Sequence, residues 1–161
     1  MGKRSFLLEK DTVHGSAGKA FITIDGQVRE LFGLKKIQTQ AEITGTDMKV
    51  VGTKNIQNKP GGVKRTGTGT TYYGTPLFLD MLEQYIKTGS MPQFTLQATN
   101  EDEAASVGVQ TVAYYGCKLS GTIPLSVLDT DADMLTMDFS FTFEKFEILS
   151  RFHNPDKLGA E

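Results

Sequence analysis

The stretch "VKRTGTGTTYYGTPLFLDMLEQYIKTG", residues 63–89, begins as one kind of structure and ends as another. Thr66, Thr68, Thr70 and Tyr72 fall on one parity, and Arg65, Gly67, Gly69, Thr71 and Tyr73 on the other. Strict alternation marks a strand, and its small glycine face lets another backbone or sheet come close. Thr75 then serves as an N-cap, and Pro76 takes the first helical position, where its missing N–H costs nothing. Leu77, Phe78, Met81, Leu82, Tyr85 and Ile86 form one apolar stripe, expected to be the core face of a helix. Gly89 ends that helix and Pro92 prevents its resumption.

The competing reading of the Thr/Gly run is a phosphate-binding loop. That chemistry needs G-x-x-x-x-G-K-[ST] between a strand and a helix. No Lys follows Gly69, and "GSAGKA" at 15–20 has the wrong spacing, with Ala20 where a magnesium-binding hydroxyl belongs. The stretch is a strand running into a helix.

Working outward, "GTDMKVVGTKNIQNKPGG", residues 45–62, holds two short apolar pieces in a Gly/Asn/Lys/Pro matrix and reads as a protruding loop. Before it, "LKKIQTQAEI" places Lys35, Ile37, Thr39, Ala41 and Ile43 on one face and Lys36, Gln38, Gln40 and Glu42 on the other. This is a half-buried strand of about ten residues with a wet polar face. "KAFITIDGQVREL" is a hairpin turning at Asp25-Gly26. Residues 1–17 are read as an N-terminal arm, 18–149 as the domain and 150–161 as a polar C-terminal tail.

Downstream, "QFTLQAT" is a strand with Phe94, Leu96 and Ala98 to one side, "NEDEAASVG" an acidic loop and "VQTVAYYGCKLSG" another strand. "TIPLSVLDTDAD" is a connection. In "MLTMDFSFTFEKFEIL", Leu135, Met137, Phe139, Phe141 and Phe143 alternate against Thr136, Asp138, Ser140 and Thr142. Phe146 and Ile148 take the opposite parity, so a bulge is expected near Glu144-Lys145. The sum is a mainly β fold of six or seven strands, an antiparallel sandwich or barrel with one α-helix packed on it.

Composition suits a single domain: 161 residues, 39% hydrophobic and 22% charged, with a net charge of −2 that does not suggest a surface built to grip nucleic acid. Phe6, Leu7 and Leu8 are too short an apolar run for a secretory signal, and no stretch approaches a membrane span, so synthesis in the cytoplasm is expected. The single cysteine, Cys117, excludes an internal disulfide and reads as a small buried hydrophobe.

Residues with potential for chemistry do not assemble into a catalytic pattern. Asp129, Asp131 and Asp133 copy the first ligand positions of a calcium loop, but Met134 replaces its glycine and Ser140 its closing glutamate. They read as a solvated acidic turn, with a loosely held divalent ion as the alternative. His14 and His153 lie in polar tails without metal-ligand spacing. No catalytic residue, metal or cofactor is expected.

The order of "FITIDGQVREL", "KRTGTGTTYYGTPLFLDMLEQYIKTGSMPQFTLQAT", "VQTVAYYGCKLSG" and "DMLTMDFSFTFEKFEIL" resembles the tail tube proteins of contractile phages, specifically the family represented in the defective Bacillus prophage PBSX. Within it, Lys87-Thr88-Gly89-Ser90-Met91-Pro92-Gln93-Phe94-Thr95-Leu96-Gln97 fits the family's helix end and following strand, and the likeness runs over residues 18–148. The resemblance implies a structural subunit of a virion tail: hexameric rings, stacked into a hollow tube that conducts DNA without binding it specifically. Implied partners are further copies of the chain, the tail sheath, tape-measure and baseplate proteins and the tail terminator, and no membrane. On that reading Lys36, Gln38, Gln40 and Glu42 line the channel, with Asp138 and Ser140 as weaker candidates. Met48, Val50, Val51 and Ile56 of the loop anchor one ring on the next. The rival class is a monomeric β-barrel that binds a ligand or carbohydrate. A bacteriocin-like or injection particle would present the same subunit.

Overall fold

The computed structural model describes residues 12–31 and 33–153, so most of the N-terminal arm and of the C-terminal tail lie outside the described residues. The strands are β1 (Gly18–Ile24), β2 (Gln27–Glu30), β3 (Leu34–Lys49), β4 (Ile56–Tyr72), β5 (Phe94–Glu101), β6 (Val109–Ser120), β7 (Thr136–Thr142) and β8 (Lys145–Ser150). The helix α1 spans Leu77–Thr88, between β4 and β5. The strand pairings among the described residues are antiparallel, and the architecture is mainly β with one helix, as expected. The eight strands among the described residues exceed the expected six or seven, because the Phe-rich segment is two strands.

The chain forms two compact units. In the first, β1 turns into β2 at Asp25 (φ 51°) and Gly26 (φ 77°), with Ile24 opposite Gln27. Two successive positive φ values are the type I′ geometry that Asp-Gly supplies. β1 pairs with β5, β5 with β6 and β6 with β8. Ile22, Phe94, Leu96, Ala113 and Cys117 are buried here, Cys117 completely. Burial pushes the Cys117 thiol up to about 12, as expected of a packed hydrophobe rather than a nucleophile. The Asp102 carboxylate accepts the backbone N–H groups of His14 and Ala104, which holds its pKa below the usual carboxylate value.

The second unit contains β3, β4, α1 and β7, with Lys118–Ser120 at the end of β6 pairing β7. The expected bulge near Glu144 is a full break. β7 ends at Thr142 on β4 and β6, and β8 begins at Lys145 on the earlier part of β6. The pairing with β6 keeps one register across the break, from Lys118↔Thr142 to Tyr115↔Lys145, so what ends at Thr142 is the pairing with β4.

The glycines of the Thr/Gly strand have a specific cause. Gly67 and Gly69 of β4 stand opposite Phe141 and Phe139 of β7, and those rings lie across the bare α-carbons. A Cβ at either position would run into the far end of the ring. The close approach is thus by aromatic side chains of the adjacent strand, and not by the second backbone or sheet that the small residues alone suggest. Phe139 in turn stacks on Phe78 of α1, with ring centroids 4.3 Å apart and planes 19° from parallel. Phe78, Phe139, Phe141, Met137, Met81 and Thr71 are all buried, and this ring-on-glycine layer is the core of the unit.

The helix ends at Gly89 as expected but begins one residue later than its punctuation indicates, with Pro76 rather than Thr75 in the N-cap position. The Leu77 N–H donates to Thr75 Oγ1 at 3.3 Å, and Gly89, at φ 74°, returns its N–H to the Tyr85 carbonyl. The apolar stripe is only partly a core face. Phe78 and Met81 are buried and Leu77 and Leu82 half-buried, but Tyr85 is 44% and Ile86 73% exposed. Helical periodicity sets which side chains share a stripe; it does not set how far along the helix a sheet lies beneath it.

Candidate functional site

The largest departure from expectation is residues 45–62. They are no loop: β3 and β4 continue through them as one hairpin, paired from Leu34↔Thr71 out to Lys49↔Ile56, with only Val50–Asn55 at the turn. A register shift between Ile43 and Gly45 accommodates one extra residue on β4, where Gly61 and Gly62 stand against Thr44 alone. Thr44 Oγ1 donates to the Gly62 carbonyl and Asn58 Nδ2 to Asp47 Oδ1, so side chains add to the ladder.

Every residue from Gln40 to Lys64 is exposed. This ribbon carries Ile43 opposite Val63, and Met48, Val50, Val51 and Ile56 around its tip, all large apolar groups in contact with solvent. Val51 is as open as a side chain can be, at 102%. A two-stranded ribbon without a packed face is marginal in water. An apolar one is a template for another chain.

The structure brings all the expected channel-lining residues onto one face. Residues directly opposite each other in a sheet share a face. Lys36, Thr70 and Asp138 stand in one cross-strand row, and Gln38, Thr68, Ser140 and Ser120 in the next. Gln40, Thr66, Thr142 and Lys118 form a third row, and Glu42 pairs with Lys64 beyond it. This is one polar face of β3, β4 and β7; the opposite face carries Gly67, Gly69, Phe139 and Phe141. Thr70 Oγ1 donates to Asp138 Oδ1 at 2.6 Å, which ties the face together across the strands. Lys36, Gln38, Gln40, Glu42 and Asp138 are exposed and Ser140 is half-buried. Thr66, Thr68 and Thr70 belong to this face as well. Their alternation points to it, but only the register shows which neighbours they join.

At the other end of β4 from the hairpin tip, a cleft of about 260 Å³ is lined by Tyr73, Pro76, Leu79, Pro124, Leu125 and Met137, among others. On the outward side of α1, Lys87 Nζ donates to Glu83 Oε1, which lowers the Glu83 pKa and raises that of Lys87. The pair is fully exposed and contributes little to stability. Asp129, Asp131 and Asp133 are exposed in the β6–β7 connection, where Asp129 Oδ1 accepts the Asp131 N–H at 3.0 Å. His153 lies against Ser106 and Gly108 of the first unit, away from any acidic or cysteine group that would make it a ligand set among the described residues.

Known proteins match this architecture along most of its length. Phage-like element PBSX protein XkdM of Bacillus subtilis (strain 168) is 30% identical over 153 residues, 95% of this chain and 97% of that protein. A chain of the anti-feeding prophage baseplate shares the fold with a TM-score of 0.64 at 9% identity, over 86% of this chain and 96% of its own. A chain of the sheath–tube complex of the extracellular contractile injection system PVC does so with a TM-score of 0.63 at 12% identity, over 86% and 92%. The model of the phage tail tube protein family matches residues 5–150, and with the ribbon, the polar sheet face and the ring-on-glycine core in place, the chain belongs to that family: it is a structural subunit of a phage or phage-like tail tube.

Proposed function

We propose that the chain forms hexameric rings that stack into the tube of a contractile tail, with the polar face of β3, β4 and β7 turned to a DNA-conducting channel. The observation that carries self-assembly is the ribbon from Gln40 to Lys64, which leaves no residue buried yet presents Ile43, Met48, Val50, Val51, Ile56 and Val63. Such a surface is stable only when other copies cover it. Ring closure through sheet edges and stacking through the ribbon tip use two different heterologous contacts, one closing and one open. The 6-fold symmetrised baseplate and the sheath–tube complex that contain similar folds support hexamers and a sheath partner here. Tape-measure, baseplate and terminator proteins complete the partner set.

The lining suits a conduit. Lys36, Lys64 and Lys118 are set among Glu42, Asp138, glutamines and threonines, with Lys64 directly opposite Glu42, so no continuous basic track accumulates to hold phosphates. Exposed Tyr85 and Ile86 on the helix are the apolar groups available to a sheath. A ligand-binding barrel is not favoured, since the tail tube family model covers residues 5–150.

The test is the double substitution Val50→Asp/Val51→Asp. Both side chains are exposed in the subunit, so circular dichroism should remain unchanged while tubes disappear from electron micrographs. Tubes of ordinary length from this variant would remove the ribbon tip from stacking.

A further inference from the structure

The apolar ribbon tip and the apolar cleft stand at opposite ends of one strand. β4 starts at Ile56, directly after the tip, and ends at Tyr72, directly before Tyr73 and Pro76 in the cleft wall. Its 17 residues separate the two by roughly 50 Å at ~3.3 Å per residue. At one end Val51 projects fully into solvent; at the other, Leu125 on the cleft is 67% exposed and Leu79 37%. Both features are apolar, and each leaves large side chains open to solvent in the isolated subunit.

The charges around them are opposite. The tip is flanked by Lys49, Lys54 and Lys59 against a single Asp47. The connection that supplies Leu125 to the cleft runs on into exposed Asp129, Asp131 and Asp133. Asp129 is four residues from Leu125, so the chain keeps it within about 14 Å of the cleft. Lysines around a projecting valine pair would meet carboxylates around a receding cleft. This gives the acidic turn a use that a calcium site, lacking its glycine and closing glutamate, does not.

We propose that Val50 and Val51 of one copy insert into the Tyr73–Pro76–Leu125 cleft of a second copy, with the tip lysines facing Asp129, Asp131 and Asp133. The inference rests on the ribbon tip being the stacking element, and adds the surface that receives it. Because donor and acceptor lie at opposite ends of the long strand axis, the contact repeats by translation without closing, and every layer points the same way. The charges steer the approach and disfavour the reversed stack, in which lysines would face lysines.

Mixing two disabled chains tests this under conditions where the unmodified chain forms tubes. One carries Val50→Asp/Val51→Asp, with a dead tip and an intact cleft. The other carries Leu79→Asp/Leu125→Asp, with a dead cleft and an intact tip; both leucines are partly exposed, so folding survives and circular dichroism verifies it. Alone, each should stop at particles one layer deep. Mixed, they should give two-layer particles and nothing longer, since the remaining tip and cleft are both disabled. Tubes from the cleft variant alone would overturn the cleft as acceptor while leaving the tip in its stacking role. Tubes from the tip variant alone would remove both readings. A mixture without two-layer particles would overturn the contact between them. Independently, Val51→Cys/Leu125→Cys in one chain should yield a ladder of covalent oligomers on oxidation, with buried Cys117 silent; monomer alone from oxidised tubes would also overturn it.

Discussion

Gly69→Ala should destabilise the subunit although alanine is ordinarily the better strand residue. The added methyl would enter the space of the Phe139 Cζ, Cε1 and Cε2 atoms. The ring cannot swing clear, because it is 2% exposed, stacks on Phe78 at 4.3 Å and has the Phe141 ring 6.1 Å away. Overpacking a well-filled core costs about 1–3 kcal/mol. Removing glycine's backbone freedom returns about 0.5–1 kcal/mol. The balance is a loss of about 1–2 kcal/mol, or roughly 3–6 °C in Tm for a chain of this size. The chain has no tryptophan, so unfolding is best followed by far-ultraviolet circular dichroism in urea. Gly62→Ala is the internal control: its new methyl meets only Thr44 Oγ1 at 3.7 Å, an ordinary contact, and stability should hold or rise. In a Phe139→Leu background, whose shorter side chain does not reach β4, Gly69→Ala should become neutral or stabilising. A neutral Gly69→Ala with Phe139 intact would refute the ring-on-glycine account, as would an unchanged penalty in the leucine background.

Thr71 is 2% exposed and its hydroxyl has no hydrogen-bond partner among the described residues, so Thr71→Val should stabilise by about 1 kcal/mol; a lower urea midpoint would show that the hydroxyl is satisfied after all. Cys117 should not react with a thiol-specific disulfide reagent until the chain unfolds. Its folded pKa is raised from 9.0 to about 12, so its contribution is complete below pH 9 and is lost as pH climbs towards 12. The decline of stability over that range should be shallower in Cys117→Ala, and equal slopes would contradict the assignment. In assembled tubes, Gln38→Cys should label with a small maleimide but not with one carried on a large polymer, whereas Glu83→Cys on the outer helix should label with both. Equal labelling of the two positions by the large reagent would take the polar face out of the channel.

Features written in neighbouring residues are legible in the sequence itself. Asp25-Gly26 specifies two positive φ angles, and Thr75, Pro76 and Gly89 punctuate the helix within a residue of where it starts and stops. Strict period-two alternation puts Lys36, Gln38, Gln40 and Glu42 on one face and Met137, Phe139 and Phe141 on another, because side-chain direction in a strand is a local property. The family resemblance supplies the expectation of stacking and channel roles, which no periodicity carries.

Only tertiary structure decided the rest. Residues 45–62 read as a loop because a ribbon with no buried face has no apolar alternation to display; its strands are held by a backbone ladder that leaves no mark in side-chain type. The stripe on α1 is visible in full, but Tyr85 and Ile86 are exposed because burial depends on what lies opposite. The break at Phe143-Glu144 lies where β4 leaves β7 to continue in the ribbon with β3, while β6 remains the partner on both sides. Gly67 and Gly69 signal a close neighbour, yet that neighbour is supplied by phenylalanines some seventy residues further on. Local geometry is encoded where it occurs, whereas contacts across long separations depend on register, which is settled only when the strands pair.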